Sequence, residues 1–129
     1  MTTYKRVVEW RDTLSAAETA SKDQLVTDAE VLYQQALTMA RKGLEIQEVL
    51  TTLIHLADFY ARHQRHDQAE PLYKDALSMY ENAFGTSNFI SAMCLRSLSE
   101  TLAAQGKLEE ATEMKMRSAE ILSSLSTLK

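Results

Sequence analysis

The side chains with most chemistry to offer in this chain are three histidines and a single cysteine. His63 and His66, followed by Asp67, are spaced closely enough to suggest a metal site. A zinc ion takes about four ligands, however, and only two imidazoles lie near one another here. The cluster therefore reads as the polar surface of a turn. His55 keeps no company with a nucleophile, a carboxylate pair or a glycine-rich phosphate loop, so the expected use of its imidazole is contact with a partner. Cys94 stands beside Leu95 with no activating base nearby, and reads as a small apolar side chain. No catalytic residue, metal ligand or cofactor-binding residue is expected, and no enzyme.

The elements that hold these residues are helices. The chain has 129 residues, 45% of them hydrophobic and 25% charged, with only three glycines and one proline. β-rich folds need turn residues at short intervals, and this chain cannot supply them. A net charge of −4 argues against the phosphate backbone of a nucleic acid as the main partner. One cysteine cannot form an intrachain disulfide, which favours a reducing compartment. The first fourteen residues lack the unbroken apolar core of a signal peptide, and no apolar run approaches the roughly 20 residues of a membrane span. A cytoplasmic protein with no membrane contact is expected.

Gly43, Gly85 and Gly106 read as helix stops, since glycine accepts the left-handed backbone at a helix end. Ser21 with Gln24, and Asp67 with Glu70, have capping-box spacing and read as helix starts, with Pro71 about the first turn. Between these marks the apolar spacing is helical. Val49, Leu53, Leu56 and Tyr60 share a stripe, as do Leu95, Leu98 and Leu102. Leu32, Ala36 and Met39 make another, with Leu72, Ala76 and Met79. Trp10 and the two methionines at matching places, Met39 and Met79, read as core. About six helices result, in three hairpins.

An internal repeat fixes how they are arranged. Ala29-Glu30-Val31-Leu32-Tyr33-Gln34-Gln35-Ala36-Leu37-Thr38-Met39 aligns with Ala69-Glu70-Pro71-Leu72-Tyr73-Lys74-Asp75-Ala76-Leu77-Ser78-Met79, 40 residues on. Leu53-x-x-Leu56-Ala57 aligns with Leu95-x-x-Leu98-Ser99 at a spacing of 42. Two registers are open for the first helix: one puts Thr13, Ala17 and Ala20 in the core slots, the other puts Trp10, Leu14 and Ala17 on one stripe.

These residues resemble the tetratricopeptide repeat (TPR) family, and in particular its longer, kinesin-light-chain-like form. Leu53, Leu56-Ala57, Tyr60, Ala69, Tyr73 and Ala76 follow the family's alternation of small and large core positions. Ala69 to Lys74, Phe84-Gly85 and Gln105 to Ala111 continue the likeness. Lys115 and Ser118 depart from it, where an aromatic and an alanine belong. The resemblance implies an all-α, right-handed α-α superhelix, a solenoid of three TPR-type hairpins. The whole chain, residues 1–129, is then one domain, with repeats at about 4–42, 45–83 and 88–127. Hairpins of this kind bury their apolar faces only by stacking on neighbours.

The family also implies where a partner binds. The first helix of each pair lines a concave groove, which here would carry Thr51, Ile54, His55, Asp58 and Arg62, then Met93, Arg96, Ser97 and Glu100. A mixed surface of this kind suits a peptide or helix of another protein. Chaperone-binding members hold a terminal carboxylate in a clamp of lysines, arginine and asparagines. Ile54, His55, Asp58 and Ser97 do not assemble it. Nor do Ile54-His55 and Arg96-Ser97 reproduce the paired asparagines of kinesin light chains. A non-catalytic adaptor is the reading that remains.

A rival reading starts at the carboxyl end. Met114, Ile121, Leu122, Leu125 and Leu128 leave an apolar stripe that no further helix follows, a surface for a homodimer or self-assembling scaffold. Met114, Ile121 and Leu125 would equally serve by facing the preceding helix.

Overall fold

The computed structural model describes residues 2–127, and among them there are six helices and no strand. They are α1 (Thr3–Lys22), α2 (Val26–Gly43), α3 (Ile46–Arg62), α4 (His66–Phe84), α5 (Phe89–Ala104) and α6 (Leu108–Ser126). The chain divides into two compact units, Met1–Phe59 and Tyr60–Lys129.

In the first unit α1 packs on α2. The small residues Ala17, Ala29, Ala36 and Ala40 are fully buried and let backbones approach closely. Tyr33 of α2 and Phe59 of α3 fill the space between, their ring centroids 5.1 Å apart in a tilted pair. Trp10, Leu14 and Ala17 are all buried, while Thr13 is half-buried and its hydroxyl donates to the Glu9 carbonyl at 2.8 Å. The buried face of the first helix thus draws on both registers, Ala20 being buried as well, and the turn after it keeps the 40-residue offset, Ala20 matching Tyr60. The Trp10 indole is anchored, Nε1 donating to the Thr52 hydroxyl at 2.7 Å, and that hydroxyl donates in turn to the Glu48 carbonyl at 2.6 Å.

In the second unit α5 packs on both α4 and α6. Leu95, Leu98 and Leu102 are its buried leucines, against Ala69, Tyr73, Ala76 and Leu77 of α4 and Ala111 of α6. Cys94 is buried, with Sγ 3.4 Å from the Tyr73 carbonyl, the apolar role its neighbours indicate. Ser118, one of the two departures, and Ser99, which stands where the second repeat has Ala57, both make hydrogen bonds. Ser99 Oγ donates to the Ala111 carbonyl at 2.8 Å and Ser118 Oγ to the Ala92 carbonyl at 2.7 Å, tying α5 to α6 at two levels.

The helix ends differ from the sequence expectations. Neither capping box forms: Ser21 lies buried inside α1, Asp67 is the second residue of α4, and Leu25 and Arg65 cap α2 and α4 without side-chain bonds. A turn of Schellman type does the work instead. Leu25, Arg65 and Lys107 each donate a backbone N–H to the carbonyl five residues back (Ala20, Tyr60 and Leu102) at 2.8, 2.8 and 2.9 Å. The residue before each is left-handed: Gln24 and Gln64 at φ 62°, Gly106 at φ 81°. Gly85, at φ 86°, is the other glycine whose conformation requires it; Gly43 ends α2 without a positive φ. Because α4 starts at His66, Pro71 falls one turn later than expected and leaves the Asp67 carbonyl without its helical donor. Met39 is exposed and Met79 half-buried, so the core places on that side belong to Tyr33, Leu37, Tyr73 and Leu77.

Candidate functional site

α3 carries Thr51, Ile54, His55 and Asp58 at helical spacing, all half-buried, with Arg62 exposed a turn further on. The opposite sides of the helix are committed to the core through Leu53, Leu56, Ala57 and Phe59, so these residues have no choice but the remaining face. His55 is not isolated there. Its Nδ1 lies 2.5 Å from a carboxylate oxygen of Glu18 on α1. That partner escaped the motif search, yet the repeat marks it: Glu18, Asp58 and Glu100 occupy equivalent places at spacings of 40 and 42.

α5 presents Met93, Arg96 and Glu100 as exposed side chains, with Ser97 half-buried among them. Arg96 Nε pairs with Glu100 at 3.5 Å, one turn along the helix. Two further residues extend this face: Phe89 is 57% exposed and Ile90 41%, against 39% for Met93. Phe84, at the end of α4, adds an exposed ring whose centroid lies 4.7 Å from that of Tyr80 in a tilted pair. The amino-terminal half of α5 is thus an exposed apolar surface and the carboxyl-terminal half a charged one. Asn88 sets where this helix begins, its Oδ1 accepting from the Ser91 amide at 2.9 Å and its Nδ2 donating to the Gly85 carbonyl at 3.0 Å.

Glu70 holds the second unit together from the side. One carboxylate oxygen accepts from Gln105 Nε2 at 2.9 Å and Lys107 Nζ at 2.8 Å, the other from Lys74 Nζ at 2.7 Å. Its side chain is only 13% exposed. The bonds from Lys107 and Lys74 pull its pKa down from 4.5 to about 2 against the effect of burial, and the same pairing raises that of Lys74. Arg117 of α6 pairs with Glu81 of α4 at 2.9 Å in the same manner.

On α6, Ala111 and Ser118 point at α5 through their bonds, and Met114, Ile121 and Leu125 fall on that same stripe, half-buried. Leu122 is 37% exposed and Leu128 lies outside the described residues. His66 Nε2 lies 3.2 Å from Gln64 Oε1, and among the described residues no group of three or more His, Cys, Asp or Glu side chains is placed to hold a metal. No described helix is long and apolar enough to cross a membrane.

A chain of helical hairpins repeating every 40 to 42 residues, with small core residues at matching places, is an α-helical repeat protein. The tetratricopeptide repeat profile matches residues 48–124, and the chain belongs to that family. Its fold is similar to that of the TPR domain of Arabidopsis FLU, with a TM-score of 0.79 at 16% identity over 92% of this chain and 98% of that one. BtubC (BKLC) from P. vanneervenii is more distant, at a TM-score of 0.56 and 14% identity, covering 96% of this chain and 67% of that one. No curated protein matches the chain. The TPR fold is in general that of a protein–protein interaction module, and its domains are typically non-catalytic.

Proposed function

We propose that this protein is a non-catalytic adaptor that binds a peptide or helix of a partner protein through the outward faces of α3 and α5. The observation that carries the reading is the exposed face of α5, where Phe89, Ile90 and Met93 stand beside the Arg96–Glu100 pair. Apolar anchors flanked by polar side chains are what interaction surfaces use, the anchors supplying most of the energy. On α3, Ile54 with Thr51, Asp58 and the Glu18-paired His55 repeats the mixture on a smaller scale. The lone, buried Cys94 and the acidic balance support a reducing, cytoplasmic setting.

Panning a random peptide library on the full chain tests this. Selected peptides should lose at least about tenfold in affinity on Met93→Glu, roughly 1.4 kcal/mol, and more modestly on Asp58→Ala and Arg96→Ala. Peptides whose binding ignores all three substitutions would remove the reading.

The rival reading, a self-assembling scaffold built through α6, draws on the exposure of Leu122 and of Met116. Light scattering over a concentration series separates the two. A dimer that Leu122→Glu or Leu125→Glu makes monomeric, with helicity kept, would favour the scaffold.

A further inference from the structure

The last hairpin opens into a cleft of about 530 Å³, lined by Arg96, Glu100 and Ala103 of α5 and by Leu108, Ala111 and Lys115 of α6. The repeat says what such a place is for. Ala111 and Lys115 stand 42 residues after Ala69 and Tyr73, and α4 at Ala69 and Tyr73 is where α5 itself packs, with Cys94 against the Tyr73 backbone. The side of α6 that carries Ala111 and Lys115 is therefore shaped to receive a helix. Its floor is small and apolar, and Leu108 at the rim is 65% exposed.

Charge then narrows the occupant. Lys74 and Lys107 pair with Glu70, Arg96 with Glu100 and Arg117 with Glu81. Glu100 is thus already engaged, whereas Lys115, exposed on the cleft wall at the place of the buried Tyr73, makes no ion pair among the described residues. We propose that this cleft docks a helix of a partner protein whose inserted face is small and aliphatic and carries a carboxylate opposite Lys115. The cleft borders the α5 face at Arg96, but its test rests on Lys115 and Ala103, which lie outside that face.

The template for a probe is α5, whose Cys94 occupies the place that meets residue 73 and hence, one repeat on, residue 115. Two labelled synthetic peptides of residues 88–105, one with Cys94→Glu and one with Cys94→Lys, are titrated into the full chain and followed by fluorescence anisotropy. The Cys94→Glu peptide should bind at least about tenfold tighter, and Lys115→Glu in the protein should reverse the order. Ala103→Trp, at an exposed residue lining the cleft, should abolish both while circular dichroism stays unchanged. Absence of binding by either peptide, equal binding, or a preference that Lys115→Glu leaves intact overturns the proposal. So does self-association of the wild type that Ala103→Trp abolishes, since the occupant would then be a second copy.

Discussion

Glu70 shows how much one side chain can do in a repeat. It sits where α4 begins its second turn, and its three hydrogen bonds reach Lys74 on its own helix and both ends of the α5–α6 turn. A carboxyl held at a pKa of about 2, below its ordinary 4.5, stabilises the fold wherever the unfolded chain would also be ionised. That contribution is complete above about pH 5 and disappears as pH falls toward 2. Glu70→Gln should therefore lower stability at neutral pH and flatten the acid limb of a denaturation-versus-pH curve. Acid limbs of equal slope in the two proteins would refute the coupling. The backbone offers a second residue-scale test. Gly106 is left-handed with open space where a Cβ would stand, so Gly106→Ala meets only conformational strain and should cost about 1 kcal/mol in urea unfolding. Gln64→Gly, at the equivalent turn, should do the reverse, by about 0.5 kcal/mol once the looser unfolded chain is counted.

At the scale of the element, the serines of the last hairpin are the instructive case. Ser99 and Ser118 fall where the other repeats place Ala57 and Ala76, and Ser118 reads in the sequence as a departure. Each is buried and each donates to a carbonyl of the facing helix, so the substitution exchanges a contact for a hydrogen bond. Ser118→Ala should cost about 1 kcal/mol, measured by the same unfolding assay, and Ser99→Ala a similar amount. No loss from either would mean that these bonds contribute nothing net. Which parts of this were legible beforehand follows from their physics. Apolar spacing placed all six helices because burial of a stripe repeats with the helix period. The caps were not legible, because two of the three left-handed turn residues are glutamines rather than glycines, and the 6→1 backbone bond leaves no trace in side-chain type. Met39 and Met79 recur faithfully, yet one is exposed and the other half-buried, since recurrence in sequence does not by itself mark burial.

For the whole molecule, the family and the repeat agree on a TPR fold, which is in general that of a protein–protein interaction module. The α3 and α5 residues singled out from the sequence do share a face on their own helices, since helical spacing requires it. Phe89, Ile90 and the Glu18 carboxylate were not legible: the first two precede the motif, and the third comes from another helix. The central claim is that partners engage these faces, and site-specific photo-cross-linking tests it most directly. A photoreactive amino acid is placed singly at Thr51 and Met93, and at Gln35 and Met116 on exposed surfaces of α2 and α6, and each variant is irradiated with a peptide selected on the wild type. Adducts from positions 51 and 93, and none from 35 or 116, are the result predicted. Adducts confined to 35 or 116 would contradict it, and would place recognition on α2 or α6 instead.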